Sequence, residues 1–223
     1  DSNISEIGSF PKEWKLSIRQ PIANTVDALT VNPGFITFTK SLRAFVYLKL
    51  LHPLDIFLTH IPWWYTMGVF TLIGYFTVGL RFAFTTALLL LFIGACGIWT
   101  HSMITLSSVL VSVTLCFALG VPLGIIASYN ERFRNAQNVV LDAMQTLPYF
   151  CYLIPVLMFF GGGIVSAVLA TVIYSIPPII RLTSLGLTQV SGSYSEVSRS
   201  FGGTLLQTLG KVKFPLAVPS LVI

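Results

Sequence analysis

Apolar residues dominate the chain after residue 62 and group into long runs separated by short polar connections. The runs predict membrane spans over 63–80, 82–99, 103–128 and 164–180. A further apolar stretch, 147–160, is broken by prolines and ends at three glycines. No Asp, Glu, Lys or Arg occurs over 82–130 or 143–180. Because one helix needs about 20 apolar residues to cross a bilayer, both uncharged stretches are long enough to hold crossings.

The residues before the first span follow a different pattern. Over 40–62 apolar residues recur at helical spacing, but charged residues stand between them, namely Lys40, Arg43, Lys49 and Asp55. This pattern predicts an amphipathic helix at the membrane interface. Residues 1–39 mix Pro, Gly, Asn, Ser and both charge signs without a sustained period, which predicts a loosely structured external tail.

Basic residues in the short connections predict the orientation of the spans. They fall on one set of alternating connections, and they are Arg81, Arg132, Arg134, Arg181, Arg199, Lys211 and Lys213. The other set, 100–102 and 161–163, has none. By the positive-inside rule the first set faces the cytoplasm and the N-terminal tail lies outside, unless 40–62 itself spans. A sixth span is expected to begin near Val218, so we expect the sequence to be a fragment truncated at its C-terminus.

Composition supports a membrane protein. Hydrophobic residues make up 54% of the chain and charged residues only 9%, whereas soluble domains have about 25% charged residues. The net charge of +5 comes from basic residues scattered among the spans, so it does not predict a nucleic-acid partner. The three cysteines, Cys96, Cys116 and Cys151, are predicted to be buried free thiols. The histidines are isolated in the sequence, so no metal site is expected from His52, His60 or His101.

A polar, basic segment over 193–215 separates two apolar stretches and is predicted to form a short surface helix. Glu196 near its start would favour the positive end of the helix dipole. Gly202 would permit a sharp turn or a close backbone approach. Pro215 would lie near the start of the next helix. Lys211 and Lys213 are expected to stay in water, with an apolar face formed by Leu205, Leu206, Leu209 and Val212.

The order of residues in this segment resembles the EAA loop of binding-protein-dependent ABC importer permeases. The resemblance implies a cytoplasmic loop that docks an ATPase subunit, and the positions that carry it are Glu196, Ser198, Gly202, Val212 and Pro215. The chain departs from the family pattern where Val197-Ser198 replaces an Ala pair, Val212 replaces Ile and Phe214 replaces Leu. These changes keep size or hydrophobicity, so they affect the expected choice of partner more than docking itself.

A more specific resemblance, covering about 63–223, is to the permeases of glycine betaine/proline importers. It is carried by 141–155 (LDAMQTLPYFCYLIP), 176–183 (IPPIIRLT) and 198–202 (SRSFG). The resemblance implies an all-α polytopic protein with the helical bundle of type I importer permeases (MetI-like), in the bacterial inner membrane. It also implies a homodimer, two ATPase subunits and an external binding protein that captures quaternary-ammonium osmolytes.

A methylated cation favours aromatic faces and weak sites along its path. Candidates near the proline-broken helix are Tyr149, Phe150, Tyr152 and Phe159, with lipid-facing or core positions as the alternative. The breaks at Pro148, Pro155, Pro177 and Pro178 are expected to be either gates or static kinks. Asp142 is expected to cap a helix or pair with Arg132, Arg134 or Arg181 rather than to touch solute, and Arg181 is expected to anchor a helix end.

The sequence contains no Walker A motif and no nucleophile motif. We therefore expect the chain to be a transport subunit rather than an enzyme, without a cofactor of its own, with ATP bound by a partner subunit. An ATP-independent secondary transporter or channel is the alternative, and the absence of a charge relay in the spans disfavours it. An intramembrane enzyme would need a paired nucleophile and base or metal ligands, which the spans lack.

Overall fold

The computed structural model describes residues 30–190 and 192–217, together with residues 24, 26 and 28. Within this part of the chain every regular element is a helix, as an all-α membrane protein requires. The chain divides after Arg43 into two units, which are described in turn. The predicted tail over 1–23 and the predicted sixth span near Val218 lie outside the described residues.

Helix α1, Pro33–Phe45, begins in the first unit at a capping residue. The Asn32 side-chain oxygen accepts hydrogen bonds from the backbone N–H groups of Gly34, at 2.9 Å, and Phe35, at 3.4 Å. Asn is a preferred N-cap, and Pro fits the first helical position because its missing N–H has no helical partner there. The prediction of a loosely structured tail is therefore wrong over 33–39, since the Asn-Pro pair starts a helix.

In the second unit, which begins at Ala44, a π-helical turn, Val46–Leu51, leads into α2, His52–His60. The turn ends just before Pro53, and the N–H of His52 reaches the carbonyl of Tyr47. A proline ring clashes with the carbonyl four residues earlier in an α-helix, and the wider π turn relieves that clash. The chain is thus helical up to His60; the interfacial position of 40–62 stays a prediction.

Six further helices follow before the polar segment: α3 Trp63–Thr77, α4 Leu80–Ala95, α5 Trp99–Tyr129, α6 Glu131–Thr146, α7 Phe150–Phe160 and α8 Ile164–Gln189. Of the described helices, α5 and α8 are individually long and apolar enough to cross a membrane. The number rises to four if two bent helix pairs each form one span, and α6 with α7, bent by 95°, is one of these pairs.

The first two predicted spans have shifted ends. The sequence predicts a turn at Arg81, but the turn lies at Gly79, where φ is 118°, and Arg81 is in the first turn of α4. A positive φ costs glycine little because it has no Cβ. The span predicted to end at Trp99 ends at Ala95, and Gly97, with φ of 74°, makes the turn before α5.

The sequence predicts that Arg132 and Arg134 lie in a short connection after the span 103–128, but the structure places both in a helix, α6. Asn130 separates α5 from α6, and its side chain accepts a hydrogen bond of 3.1 Å from the N–H of Phe133. Glu131 follows in the first turn of α6, where its charge suits the helix dipole. An Asn cap followed by an acidic residue therefore starts a helix where charge alone suggested a loop.

Helix α8 continues to Gln189 through Pro177 and Pro178, although the sequence predicts its end at Ile180. The helix lies against α5, where Gly120 and Gly124 form a G-x-x-x-G motif. A Cβ on Gly124 would lie 2.8 Å from the carbonyl oxygen of Ile180, so the two backbones are in close contact. Small residues at this spacing permit such packing between membrane helices. We attribute the continuation of α8 past its prolines to this contact.

Candidate coupling loop and polar cluster

The polar segment folds into two short helices joined by a tight turn. Helix α9, Gly192–Ser200, ends where the N–H of Phe201 bonds the carbonyl of Val197 at 3.2 Å. Gly202 has φ of 78°, and the N–H of Gly203 reaches back to the carbonyl of Ser198 at 2.9 Å. These bonds and the left-handed glycine form a Schellman cap, which satisfies carbonyls at the helix end.

The two glycines of this cap have different roles. A Cβ on Gly202 would meet no atom within 4 Å, so this position needs glycine for its backbone angle and is open on its outer side. A Cβ on Gly203 would lie 2.7 Å from the carbonyl oxygen of Ser198. The sequence predicts that Gly202 permits either a sharp turn or a close backbone approach. In the structure Gly202 makes the turn, and the close approach occurs at Gly203.

Helix α10, Leu205–Thr208, begins with a capping box. The N–H of Thr204 donates to the Gln207 side-chain oxygen at 2.9 Å, and the Thr204 hydroxyl oxygen accepts from the N–H of Gln207 at 3.4 Å. The Thr-x-x-Gln signature was present in the sequence and identifies this helix start. The hydroxyls of Ser198 and Thr208, 2.8 Å apart, then join α9 to α10.

The end of the segment repeats the arrangement seen before Pro53. A π-helical turn, Leu209–Lys213, is followed by helical residues 214–217, which include Pro215. The Nζ of Lys213 lies 4.9 Å from the centre of the Tyr129 ring, so this lysine contacts the end of α5 instead of standing free in water. Lys211 is exposed, as the sequence predicts. The side chains of Leu205 and Leu206 lie outside the described part, so the apolar face stays a prediction.

The outer surface of the segment combines charge with exposed apolar groups. Glu196 is exposed on α9. Val197 is 56% exposed and Phe201 88% exposed, although both are large and apolar. Exposed apolar side chains beside charged ones are a common feature of surfaces that bind a protein partner. Of the other predicted docking positions, Ser198 and Val212 are half-buried, while Pro215 is exposed.

A polar cluster joins α6 to α8. The Arg181 guanidinium donates from Nη2 to the Asp142 carboxylate, which confirms one of the three pairings predicted for Asp142. The Nη2 of Arg134 instead lies 3.6 Å from the Oε1 of Glu131. Arg181 does not anchor a helix end, because α8 continues past it for two turns, to Gln189. The ion pair thus fastens the middle of α8 to α6.

A cavity of about 510 Å³ opens beside this ion pair. Its polar lining comes from one face of each helix: Arg134, Asn138 and Asp142 from α6, and Arg181, Ser184 and Thr188 from α8. The Nε of Arg181 and the hydroxyl of Ser184 are buried and have no hydrogen-bond partner among the residues that the structure describes. The sequence shows the i, i+3 spacing of Arg181 and Ser184, but not that their donors are left free.

The four aromatic residues predicted to line a solute path are only partly brought together. The ring centres of Tyr149 and Phe150 lie 4.0 Å apart. The ring centre of Tyr174 in α8, a residue that the sequence did not single out, lies 6.4 Å from that of Tyr149. The hydroxyl of Tyr152 donates to the backbone carbonyl of Met144 and so braces the bend between α6 and α7. Phe159 is half-buried near the other end of α7.

The proline breaks differ in effect. Pro148 lies in the 95° bend between α6 and α7, whereas Pro155, Pro177 and Pro178 lie inside helices. The two alternatives for these breaks, gates and static kinks, both stay predictions.

The cysteines need a correction, because Cys116 is buried but Cys96 and Cys151 are exposed at the protein surface. Side chains on a lipid-facing surface are not covered by protein. The sequence predicts that the cysteines lie away from water, but it does not predict whether lipid or protein surrounds each one. Among the described residues no group of three or more His, Cys, Asp or Glu side chains is placed to hold a metal ion.

Residues 120–223 match the family model described as binding-protein-dependent transport system inner membrane component. The chain is 44% identical over 154 residues to the glycine betaine/proline betaine transport system permease protein ProW of Escherichia coli (strain K12), covering 69% of this chain and 44% of that protein. It is 38% identical over 172 residues to the glycine betaine transport system permease protein OpuAB of Bacillus subtilis (strain 168), covering 76% and 56%. The chain thus spans about half the length of these relatives.

Proposed function

Since residues 120–223 belong to the family of binding-protein-dependent transport system inner membrane components, we propose that the chain is a membrane-spanning permease subunit of an ATP-driven importer. This is a family of transport components rather than of enzymes. The chain would lie in the bacterial inner membrane, in contact with lipid, and would bind no ATP itself. Hydrolysis would take place in a separate ATPase subunit. The observation that carries this proposal is the ordered helix–turn–helix of the coupling loop, residues 192–213.

The coupling loop has the rigidity that force transmission needs. The Schellman cap at Gly202, the capping box at Thr204 and the bond between Ser198 and Thr208 hold its two helices in one arrangement. Lys213 then contacts Tyr129 at the end of α5. A displacement of α9 by a bound partner would therefore be transmitted to the long membrane helix α5, because no flexible connection separates the two.

The exposed side of the loop fits a protein partner. Val197 and Phe201 offer apolar contact area, and Glu196 offers a charge that can select among partners. With the predicted orientation this surface faces the cytoplasm, and the ATPase subunit would cover it. An external binding protein would deliver solute from the opposite side, and a second permease copy would complete the passage.

The proposed solute is a quaternary-ammonium osmolyte of the glycine betaine or proline betaine type. The relatives named above transport glycine betaine or proline betaine, according to their names. A quaternary ammonium has no N–H to donate, so aromatic faces rather than acceptors recognise it. Tyr149, Phe150 and Tyr174 provide three neighbouring rings beside the bend at Pro148.

The test is uptake of labelled glycine betaine by liposomes that contain the full-length permease, its ATPase and its binding protein, with and without internal ATP. Uptake should require ATP and should be lost in Gly202→Asp, because the open side of Gly202 would then present a charge to the ATPase. Gly97→Asp is the matched control. Gly97 also has a positive φ, 74°, and open space around its Cβ position, but it lies in the turn between α4 and α5, next to the connection 100–102 that is predicted to be external.

Two results would contradict the proposal. Uptake that does not depend on ATP would favour a secondary transporter or channel. Equal loss of uptake in both Asp variants is not one of these results, because it would show only that the substitution harms the fold. Docking would then be tested by co-purification of the ATPase with each variant. The second contradicting result concerns Gly202→Asp alone. Normal co-purification and normal uptake in Gly202→Asp would exclude docking at this turn.

A further inference from the structure

The Ser184 hydroxyl of α8, like those of Thr66 and Thr71 in α3, is buried without a hydrogen-bond partner among the described residues, but of these three only Ser184 lines the cavity between α6 and α8. In α8, Thr171 and Thr188 each donate to a backbone carbonyl three or four residues earlier, at 2.9 Å. Ser112 of α5 does so at 2.8 Å. Ser184 is 6% exposed, but its hydroxyl meets no hydrogen-bond partner within the described part of the chain. Leaving a buried hydroxyl unsatisfied costs free energy, so such a group in a cavity wall indicates a ligand that the wall is built to meet.

Arg181 supplies a second free donor one helical turn away. Its Nη2 donates to Asp142, but its Nε is buried and bonds no described residue. Residues at i and i+3 share one helix face, and both Arg181 and Ser184 line the cavity. A guanidinium N–H next to a hydroxyl suits an acceptor with two oxygens, since each oxygen can take one hydrogen bond.

The charges around the cavity favour an anion. Two cations, Arg134 and Arg181, and one carboxylate, Asp142, line it. Asp142 pairs with Arg181, and the exposed Glu131 lies 3.6 Å from Arg134, so the remaining positive charge is small and an oxyanion is attracted but not held strongly. A site on a transport path has to be weak enough to release its solute.

We propose that Arg181 and Ser184 form an oxyanion site, and that the carboxylate of the transported zwitterion occupies it on the way to the cytoplasm. This inference rests on the proposed function. Arg181 lies eight residues before the end of α8 at Gln189, about 12 Å at 1.5 Å per residue, in the half of α8 that is predicted to be nearer the cytoplasm. The phosphate of a lipid headgroup has the same chemistry and is the alternative source of the oxyanion.

The experiment measures binding of labelled glycine betaine to the full-length permease with its ATPase in nanodiscs, without the binding protein. Ser184→Ala and Arg181→Lys each remove one of the free donors, and Arg181→Lys keeps the positive charge. Each should weaken binding by about tenfold, the usual effect of losing a hydrogen bond to a charged group. Ser112→Ala is the matched control, because it removes a buried hydroxyl that its own helix satisfies. Excess choline, which lacks a carboxylate, should fail to displace the label.

Discs with and without phosphatidylglycerol distinguish the two sources. If glycine betaine binding is unchanged in Ser184→Ala but native mass spectrometry shows loss of retained phosphatidylglycerol, the oxyanion is a lipid phosphate and the solute role is wrong. If neither ligand responds to Ser184→Ala or Arg181→Lys, the site is excluded. Failure of ATP-driven uptake in the wild type would instead defeat the proposed function, and phosphatidylglycerol retention would still test the oxyanion site.

Discussion

The hydroxyl of Ser107 donates a hydrogen bond to the carboxylate of Asp55, which joins α2 to the long helix α5. Ser107 is fully buried and is the ninth residue of α5. The charge of Asp55 was one reason to predict that residues 40–62 lie at the membrane surface. That charge has a partner on a membrane-spanning helix, so it does not by itself keep α2 out of the bilayer.

Removing the Ser107 hydroxyl should destabilise the protein by about 1–3 kcal/mol, because Asp55 would remain without this donor. We expect Ser107→Ala to lower the Tm of the purified protein in detergent. Ser108→Ala is the control, since that hydroxyl bonds only the carbonyl of Ile104 among the contacts that the structure describes. Equal Tm values for the two variants would show that the contact with Asp55 contributes nothing.

The contact of α5 with α8 at Gly124 should tolerate no side chain. A Cβ there would lie 2.6 Å from the Cβ of Thr183, and overpacking of this kind costs about 1–3 kcal/mol. Gly124→Ala should therefore lower the Tm. Gly68→Ala should be neutral or stabilising, because Gly68 lies in α3 with nothing within 4 Å of its Cβ position and Ala favours helix. A stable Gly124→Ala protein would mean that the helices separate easily.

The two glycines of the Schellman cap should respond differently to substitution. Gly203→Ala would bring a Cβ against the Ser198 backbone and should disrupt the turn. Gly202→Asn should be milder, because Asn adopts the left-handed conformation more readily than other residues with a side chain. Hydrogen exchange of the coupling loop measures the effect. Faster exchange in Gly202→Asn than in Gly203→Ala would contradict these assignments.

The bond between Ser198 and Thr208 should appear as a coupling energy. Ser198→Ala and Thr208→Val each remove one hydroxyl from a pair 2.8 Å apart. The double variant should be less destabilised than the sum of the single variants by about 0.5–1.5 kcal/mol, the net value of one hydrogen bond. Chemical unfolding of all four proteins gives this difference. Strict additivity would indicate that the two helices are not joined by these side chains.

The contact of Lys213 with Tyr129 should depend on the aromatic ring and not on the phenol. Tyr129→Phe keeps a ring beneath the cation and should preserve stability and coupled uptake. Tyr129→Leu removes the cation–π attraction, which is worth about 0.5–1 kcal/mol at exposed sites. We expect weaker coupling of ATP hydrolysis to uptake in Tyr129→Leu alone. Loss of coupling in Tyr129→Phe would point to the hydroxyl instead.

Much of the candidate site could be predicted from sequence because its signals are local. The left-handed turn at Gly202 follows from the backbone freedom of glycine, and the pairing of Asp142 with a nearby arginine follows from the shortage of charges in the surrounding stretch. The starts of α1, α6 and α10 could also be predicted from their capping residues, Asn32, Asn130 and Thr204. Charge and hydropathy patterns alone do not indicate these helix starts.

The sequence by itself indicated an α-helical membrane protein with a polar loop that resembles the EAA loop. Those properties depend on runs of apolar residues and on short motifs, which act within one or two helical turns. Only the tertiary structure decided that Asp55 meets Ser107 and that Gly203 faces Ser198. It also decided that α8 continues past two prolines against Gly124 and that the Ser184 hydroxyl has no hydrogen-bond partner among the described residues. These facts depend on how each helix is rotated and placed against its neighbours, which no local pattern specifies.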